Sequence, residues 1–162
     1  MARSKPSTQA VDPRAQWLQL DQQLCFALYS SSLAMTRIYK PLLAPLGLTY
    51  PQYLVMLVLW ELDGQSVSQL GLRLSLDSGT LTPLLKRLET LGHLERRRAR
   101  DDERRVDIFL TPAGRALRAL ALDIPPQLAC ASACDLDELA ALTQRLHQLR
   151  GQLTAAASSV DD

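Results

Sequence analysis

The stretch "LDSGTLTPLLKRLETLGHLERRRARDDERRVDIFL", Leu76–Leu110, sets a helix directly before a charged hairpin. "SLDSG" is a turn signal, and "TLTPLLKRLETLGH" reads as a helix closed by Gly92, the residue type that most readily ends one. A proline in a helix interior costs about 3 kcal/mol, whereas one in the first turn removes no helical hydrogen bond. Pro83 therefore predicts a helix start near Ser78 to Thr80. Downstream, Val106, Ile108 and Leu110 alternate as in a strand with one buried face. The polar turn "ARDDER" separates that strand from a shorter one before it.

Upstream, "SVSQLGLRL" places Ser66 and Gln69 at capping-box spacing before Leu70, Leu72 and Leu74. "TYPQYLVMLVLWELDG" repeats the device with Thr49 and Gln52, has Pro51 in its first turn, and is apolar almost all round, as a buried helix ending at Gly64 would be. Helix, short helix, turn, second helix and hairpin make a winged helix-turn-helix over about residues 49–111. On one flank, Trp17, Leu20, Leu24, Leu28, Met35, Ile38 and Leu42 recur on one helical face until Pro41, Pro45 and Gly47 break it. On the other, Thr111 caps a helix with Pro112 at its first position, and Pro125-Pro126 stops it. Asp135 and Glu138 open a last helix whose Leu139, Leu142, Leu146, Leu149 and Leu153 form a heptad-like seam. The expected fold is mainly α with a small β-hairpin wing. Residues 1–14 are expected to be a loose tail and 15–162 one domain, with flanking helices at about 15–45 and 112–157.

At 162 residues the chain can bury one proper core, and 47% hydrophobic against 5% aromatic residues suits leucine- and alanine-rich helices. A net charge of +1 neither favours nor excludes a nucleic-acid partner; the distribution of charge matters more. No secretory signal is visible, and no apolar run approaches the roughly 20 residues that span a bilayer, so the expectation is a cytoplasmic protein without a membrane. Cys25, Cys130 and Cys134 are an odd number, which argues against a disulfide framework. His93 and His147 give no zinc spacing with "CASAC", so neither a metal nor another cofactor is expected.

The second helix of the pair would present Ser78, Thr80 and Thr82 around Gly79 at its positive end, with Lys86 and Arg87 one turn on. Short hydroxyls at a helix N-terminus suit phosphate oxygens and base edges. Between Arg96 and Arg105 the hairpin gathers Arg97, Arg98, Arg100 and Arg104 as well, beside Glu95, Asp101, Asp102 and Glu103. Charge runs are commonly solvated, salt-bridged surface. Directly after a helix-turn-helix, this one is read as a DNA-binding wing in which Asp102 holds Arg104 for the minor groove.

The first helix raises a separate question. At 100° per residue, Tyr29 lies about 40° from Cys25 around the helix and Ser32 about 20° on the other side, with Thr36 and Tyr39 within about 40° of the same line. This stripe is compatible with ordinary packing of a small thiol and two phenols. It is also compatible with chemistry, because a phenol that donates to a thiolate favours the charged, nucleophilic form. Tyr39 lies about 21 Å beyond Cys25 along a straight helix, so it reaches a thiol only in a second copy crossing about a two-fold axis. Attack of the thiolate on a peroxide would give a sulfenic acid for Cys130 or Cys134 to trap.

"LDSGTLTPLLKRLE" followed by "RDDERRVDIFLT" resembles the MarR family of winged-helix regulators, with the acidic-x-Arg wing motif at Asp102-Glu103-Arg104. Together with "CFALYSSS" and "GLTYPQYLVMLVLWE", the chain resembles the organic-hydroperoxide-sensing OhrR branch from about Leu20 to Pro125. The resemblance implies a homodimer that binds double-stranded, pseudo-palindromic operator DNA as a repressor. It makes Cys25 the peroxidatic sensor and gives Tyr29, Tyr39 and Tyr50 as its hydrogen-bonding tyrosines, the latter two from the partner subunit. It also implies an intersubunit disulfide to Cys130, with Cys134 as the alternative resolving thiol, and release of DNA on oxidation. It builds that dimer from the first and last helices, at about 15–45 and 112–157, and its wing motif joins the DNA-facing residues read above, which are Ser78, Thr80, Thr82, Lys86, Arg98, Arg100, Asp102, Arg104 and Arg105. The alternative is a MarR-type repressor released by a small phenolic or drug-like ligand. An enzyme is not expected: thiol peroxidases of the common type carry their cysteine after proline and threonine in a loop, whereas Cys25 follows "DQQL" within a helix.

Overall fold

The computed structural model describes residues 17–99, 102 and 104–159. It divides into two units, one up to Arg37 and one from Ile38. In the first, a 3-10 turn (Leu20–Gln22) precedes helix α1 (Leu24–Leu43), which runs on into the second unit. The helix expected from Trp17 thus begins at Leu24. Gln23 is extended (φ −86°, ψ 112°), and its side-chain amide donates to the carbonyls of Trp17 and of Gln19 (3.3 Å), competing with helical pairing. Trp17, Leu18, Leu20, Leu24, Tyr29 and Leu33 are all exposed. Pro41 lies inside α1 instead of ending it; the break falls at a 3-10 turn, Ala44–Leu46.

The second unit holds α2 (Tyr50–Glu61), β1 (Gln65–Ser66), α3 (Val67–Leu74), α4 (Ser78–Thr90), β2 (Leu94–Arg98), β3 (Val106–Leu110), α5 (Pro112–Ala121), α6 (Ile124–Ser132) and α7 (Leu136–Ser158). This is the expected mainly helical, winged architecture. The capping predictions hold at atomic level. Gln52 Oε1 accepts the N–H of Thr49 (2.8 Å), while Ser66 and Gln69 exchange hydrogen bonds of 2.8 and 3.2 Å at α3. Asp135 and Glu138 do the same at α7, at 2.7 and 3.1 Å.

The hairpin is in register, Leu94 opposite Leu110 and Arg98 opposite Val106. A third strand, β1, adds to it antiparallel, giving the order β1-β3-β2. Two residues are too short for any alternation to be read. Gly64 (φ 73°) turns the chain back from α2 so that Gln65 meets Ile108, and a Cβ there would lie 2.9 Å from the Phe109 ring.

Leu81, Leu85 and Leu88 of α4 pack into one core with Leu43, Met56, Leu59, Leu70, Leu94, Ile108 and Leu110. Each fully buried leucine is worth about 2 kcal/mol of burial, which fixes the rotation of α4 against α2 and the sheet. Polar bonds tie the wing's root to this core. Asp63 Oδ1 accepts the N–H of Gly64 (2.9 Å) and of Leu110 (2.8 Å), and its Oδ2 pairs with Arg115 Nη1 (2.6 Å). Trp60 Nε1 donates to the carbonyl of Gly114 (2.9 Å).

Pro125 and Pro126 do not merely stop a helix. They stand in the first turn of α6, where their missing N–H groups would have had no helical partner. One more helix therefore lies between α5 and the last than the sequence suggested. α7 buries none of its residues, and Leu136, Leu142, Leu146 and Leu153 are exposed. No single helix among the described residues is long and apolar enough to cross a membrane.

Candidate nucleic-acid interface and thiol sites

The start of α4 is set by Asp77, which the sequence reading passed over. Its Oδ1 accepts the N–H of Thr80 (2.9 Å) and its Oδ2 the Thr80 hydroxyl (2.8 Å). These bonds, the hydroxyl's foremost, hold the Asp77 carboxyl below its ordinary range and keep the cap ionised. Gly79 serves this cap, since a Cβ there would stand 2.9 Å from Asp77 Oδ1. With the helix starting at Ser78, Pro83 lies beyond the first turn, so the placement inferred from the proline was right in position and wrong in cause.

Thr82 donates its hydroxyl to the carbonyl of Ser78 (2.6 Å), so the hydroxyl protons of Thr80 and Thr82 are committed locally. Both oxygens remain available as acceptors. Ser78, Lys86 and Arg87 are exposed on the same helix.

In the wing, Arg96 Nε pairs with Glu89 of α4 (2.7 Å), and Arg97 pairs with Glu95 while its guanidinium stands 4.7 Å from the Phe109 ring centre. Arg105 pairs with Asp107 (3.2 Å). Asp102 does restrain Arg104, but through the main chain: its Oδ1 accepts the Arg104 N–H (2.9 Å). Arg104 and Arg105 line, with Thr82, Ser68 and Arg96, a cavity of about 280 Å³ between the wing and the start of α3. Arg98 is exposed at the end of β2; Arg100 and Glu103 lie outside the described residues.

The thiol site is spread over separate elements. Cys25 is exposed in the first turn of α1, with Tyr29 one turn on and also exposed. In the other unit, Tyr39 and Tyr50 stand together, ring centres 4.5 Å apart, and Tyr53 completes the cluster at 6.0 Å from Tyr39. Burial first, then the neighbouring Tyr50 and Tyr53, push the Tyr39 phenol up to about 12. Burial raises Tyr50 and Tyr53 as well. Cys130 is exposed on α6, and Cys134 is half-buried just after it.

The family described as transcriptional regulator SarA/Rot matches residues 37–119. The organic hydroperoxide resistance transcriptional regulator of Bacillus subtilis is 48% identical over 132 residues, 82% of this chain and 90% of that protein. Wild-type MarR of E. coli superposes with a TM-score of 0.61 at 26% identity, over 78% of this chain and 96% of that one. The chain belongs to the MarR family of winged-helix transcriptional regulators. Reduced AbfR bound to DNA, a Staphylococcus epidermidis protein, matches with a TM-score of 0.71 at 35% identity, over 87% of this chain and 99% of that one. AbfR is also known overoxidised on DNA and in a disulfide form.

Within this MarR-type regulator, Asp77, Ser68 and Tyr53 are the residues of the two candidate sites that the sequence did not single out. Tyr53 had a signal, three residues after Tyr50 on a helix. Asp77 had one too, an acid at the N-cap position before Thr80. Ser68 and Arg96 come together only through the packing of wing on helix.

Proposed function

We propose that this MarR-type regulator is a cytoplasmic repressor that binds pseudo-palindromic operator DNA as a homodimer and leaves it when an organic hydroperoxide oxidises Cys25. The observation that carries the reading is an exposed thiol in the first turn of α1, in a chain 48% identical to a regulator of organic hydroperoxide resistance. Tyr39 is compatible with it: its phenol, protonated at any physiological pH, can donate a hydrogen bond to a thiolate. The thiolate takes the distal peroxide oxygen, the alkoxide leaves as alcohol, and the resulting sulfenic acid condenses with Cys130 or Cys134 of the partner, releasing water.

Exposed leucines along α7 and around the start of α1 supply the apolar surface a second copy would cover. With two copies, two α4 helices would enter successive major grooves, Ser78, Thr80 and Thr82 foremost and Lys86 on the backbone. Arg98, Arg100, Arg104 and Arg105 of the wing, shaped by Asp102, would follow the adjacent minor groove. The ionised Asp77 at the tip of α4 repels phosphate and accepts from base amino groups, so this end suits base edges better than backbone. The regions about 49–111, and about 15–45 with 112–157, then divide the work of DNA binding and dimerisation.

A second reading, release by a phenolic or drug-like ligand, is favoured by a cavity of about 220 Å³ lined by Tyr53, Leu57, Trp60 and Arg118. One experiment separates the two. A duplex selected from random sequence by the reduced protein is titrated by fluorescence anisotropy before and after one equivalent of cumene hydroperoxide. The expected result is a fall in affinity of about tenfold or more for the wild type, about 1.4 kcal/mol, and none for Cys25→Ser. Equal loss in both proteins, or none in the wild type, sinks the hydroperoxide reading.

A further inference from the structure

The end of α6 is a closed turn that carries both remaining thiols. Ala133 adopts the left-handed conformation (φ 53°). The N–H of Cys134 donates back to the carbonyl of Ala129 (3.3 Å), and the N–H of Ala133 to that of Cys130 (3.3 Å). This paired closure folds the chain back over the last turn of the helix. Cys134 is thereby returned to the turn that bears Cys130 instead of being carried away toward α7. The two thiols differ in setting: Cys130 is exposed, whereas Cys134 is half-buried with its thiol donating to the carbonyl of Ser132 (3.5 Å). Among the described residues no group of three metal-ligating side chains forms.

We propose that Cys130 and Cys134 act together, as a dithiol that closes to a disulfide within one subunit and thereby frees the sensor. The step rests on the hydroperoxide reading, in which oxidation leaves Cys25 of one subunit bonded to Cys130 of the other. The Cys134 thiolate attacks the Cys130 sulfur, the Cys130–Cys134 bond forms, and the Cys25–Cys130 bond breaks with Cys25 leaving as thiolate. No further oxidant is consumed: the two electrons taken by the hydroperoxide are only moved from one disulfide to another. A neighbour four residues away, held by the turn, competes well against a bond between subunits. The consequence is a sensor thiol returned to its reduced state while the oxidising equivalents remain stored in the α6–α7 turn. "CASAC" is then one device rather than a resolver and a spare.

The pair is tested first without the sensor. Full-length Cys25→Ser is equilibrated in glutathione buffers of graded potential and read by intact mass and peptide mapping. The expected product is a monomer lighter by two hydrogens, with Cys130 joined to Cys134. Wild type and Cys134→Ser are then given one equivalent of cumene hydroperoxide and quenched by alkylation over time. In the wild type the Cys25–Cys130 crosslink should rise and then decay as Cys130–Cys134 accumulates; in Cys134→Ser it should persist about tenfold longer or more. The proposal is overturned by absence of the internal bridge in Cys25→Ser, or by equal crosslink lifetimes in the two proteins. A bridge in Cys25→Ser together with a wild-type Cys25 that is neither oxidised nor crosslinked at any time point supports the pair as a redox site and overturns the hydroperoxide reading beneath it.

Discussion

Helices α3 and α7 open with the same reciprocal cap, Ser66 with Gln69 and Asp135 with Glu138, and then part ways. α3 sends Leu70 fully into a core shared by α2, α4 and the sheet. α7 is nearly three times as long and buries none of its residues fully, with Leu136, Leu142, Leu146 and Leu153 standing open to solvent. The local code that starts a helix is therefore independent of what will cover it. In the winged helix the chain supplies its own cover; along α7 the proposed dimer would supply it. A helix packed within the chain and one left uncovered should respond differently to the same substitution.

Gly114 and Gly151 provide that substitution. Both are helical, in α5 and α7, and an alanine in a helix is intrinsically favoured over glycine by about 1 kcal/mol. At Gly114 a Cβ would stand 1.9 Å from the carbonyl oxygen of His93, a main-chain atom held by the N–H of Thr111 (3.1 Å). At Gly151 it would meet nothing within 4 Å. Gly114→Ala is expected to destabilise by about 3 kcal/mol or more in denaturant unfolding. Gly151→Ala is expected to leave stability unchanged or raise it by up to about 1 kcal/mol. A loss of stability for Gly151→Ala would mean that a second copy packs its backbone closely against α7 at that point.

The next effect in size concerns the wing's root. Asp63→Ala removes the acceptor for the N–H groups of Gly64 and Leu110, and should cost about 2 kcal/mol. Arg115→Ala removes only the more exposed partner of the same carboxylate and should cost under about 1 kcal/mol. Thermal unfolding of the two variants checks the ranking. Equal losses would assign the hub's strength to the ion pair rather than to the main-chain bonds.

What the sequence disclosed follows the same division. Caps, the alternation in β3 and the apolar girth of α2 are local properties, so the helix-turn-helix and the wing are legible in the residues alone. Pro83 misled about cause because no glutamate or glutamine follows Asp77 at capping-box spacing, leaving the proline as the visible signal. Pro125-Pro126 looked like a stop because proline cannot continue a helix yet is well suited to a helix's first turn, where these two stand, while α5 already ends at Ala121. Asp63 holds residues 47 and 52 positions away, which no local pattern reveals. The tyrosine cluster was partly legible: Tyr39 and Tyr50 through the family resemblance and Tyr53 through its helical spacing from Tyr50, while the contact of Tyr53 with Tyr39 needs helix packed on helix.

The smallest effect tests the cluster by pH. The Tyr39 phenol is raised from 10.0 to about 12, so the folded state favours its protonated form. Its contribution to stability is then fully present below pH 10 and is lost as the pH climbs through 12, because the unfolded chain ionises first. Stability should decline across that alkaline window, and Tyr39→Phe should decline less steeply, with Tyr50 and Tyr53 keeping part of the slope. Ultraviolet titration of tyrosinate and denaturant unfolding at each pH give both quantities. An unchanged slope in Tyr39→Phe would place the ionisation elsewhere in the cluster. At neutral pH the same variant should lose less than about 1 kcal/mol, since it keeps the ring contacts with Tyr50 and Tyr53 and gives up only the phenol oxygen. A slower reaction of Cys25 with hydroperoxide at that unchanged stability would then be the mark of a lost donor rather than of a loosened fold.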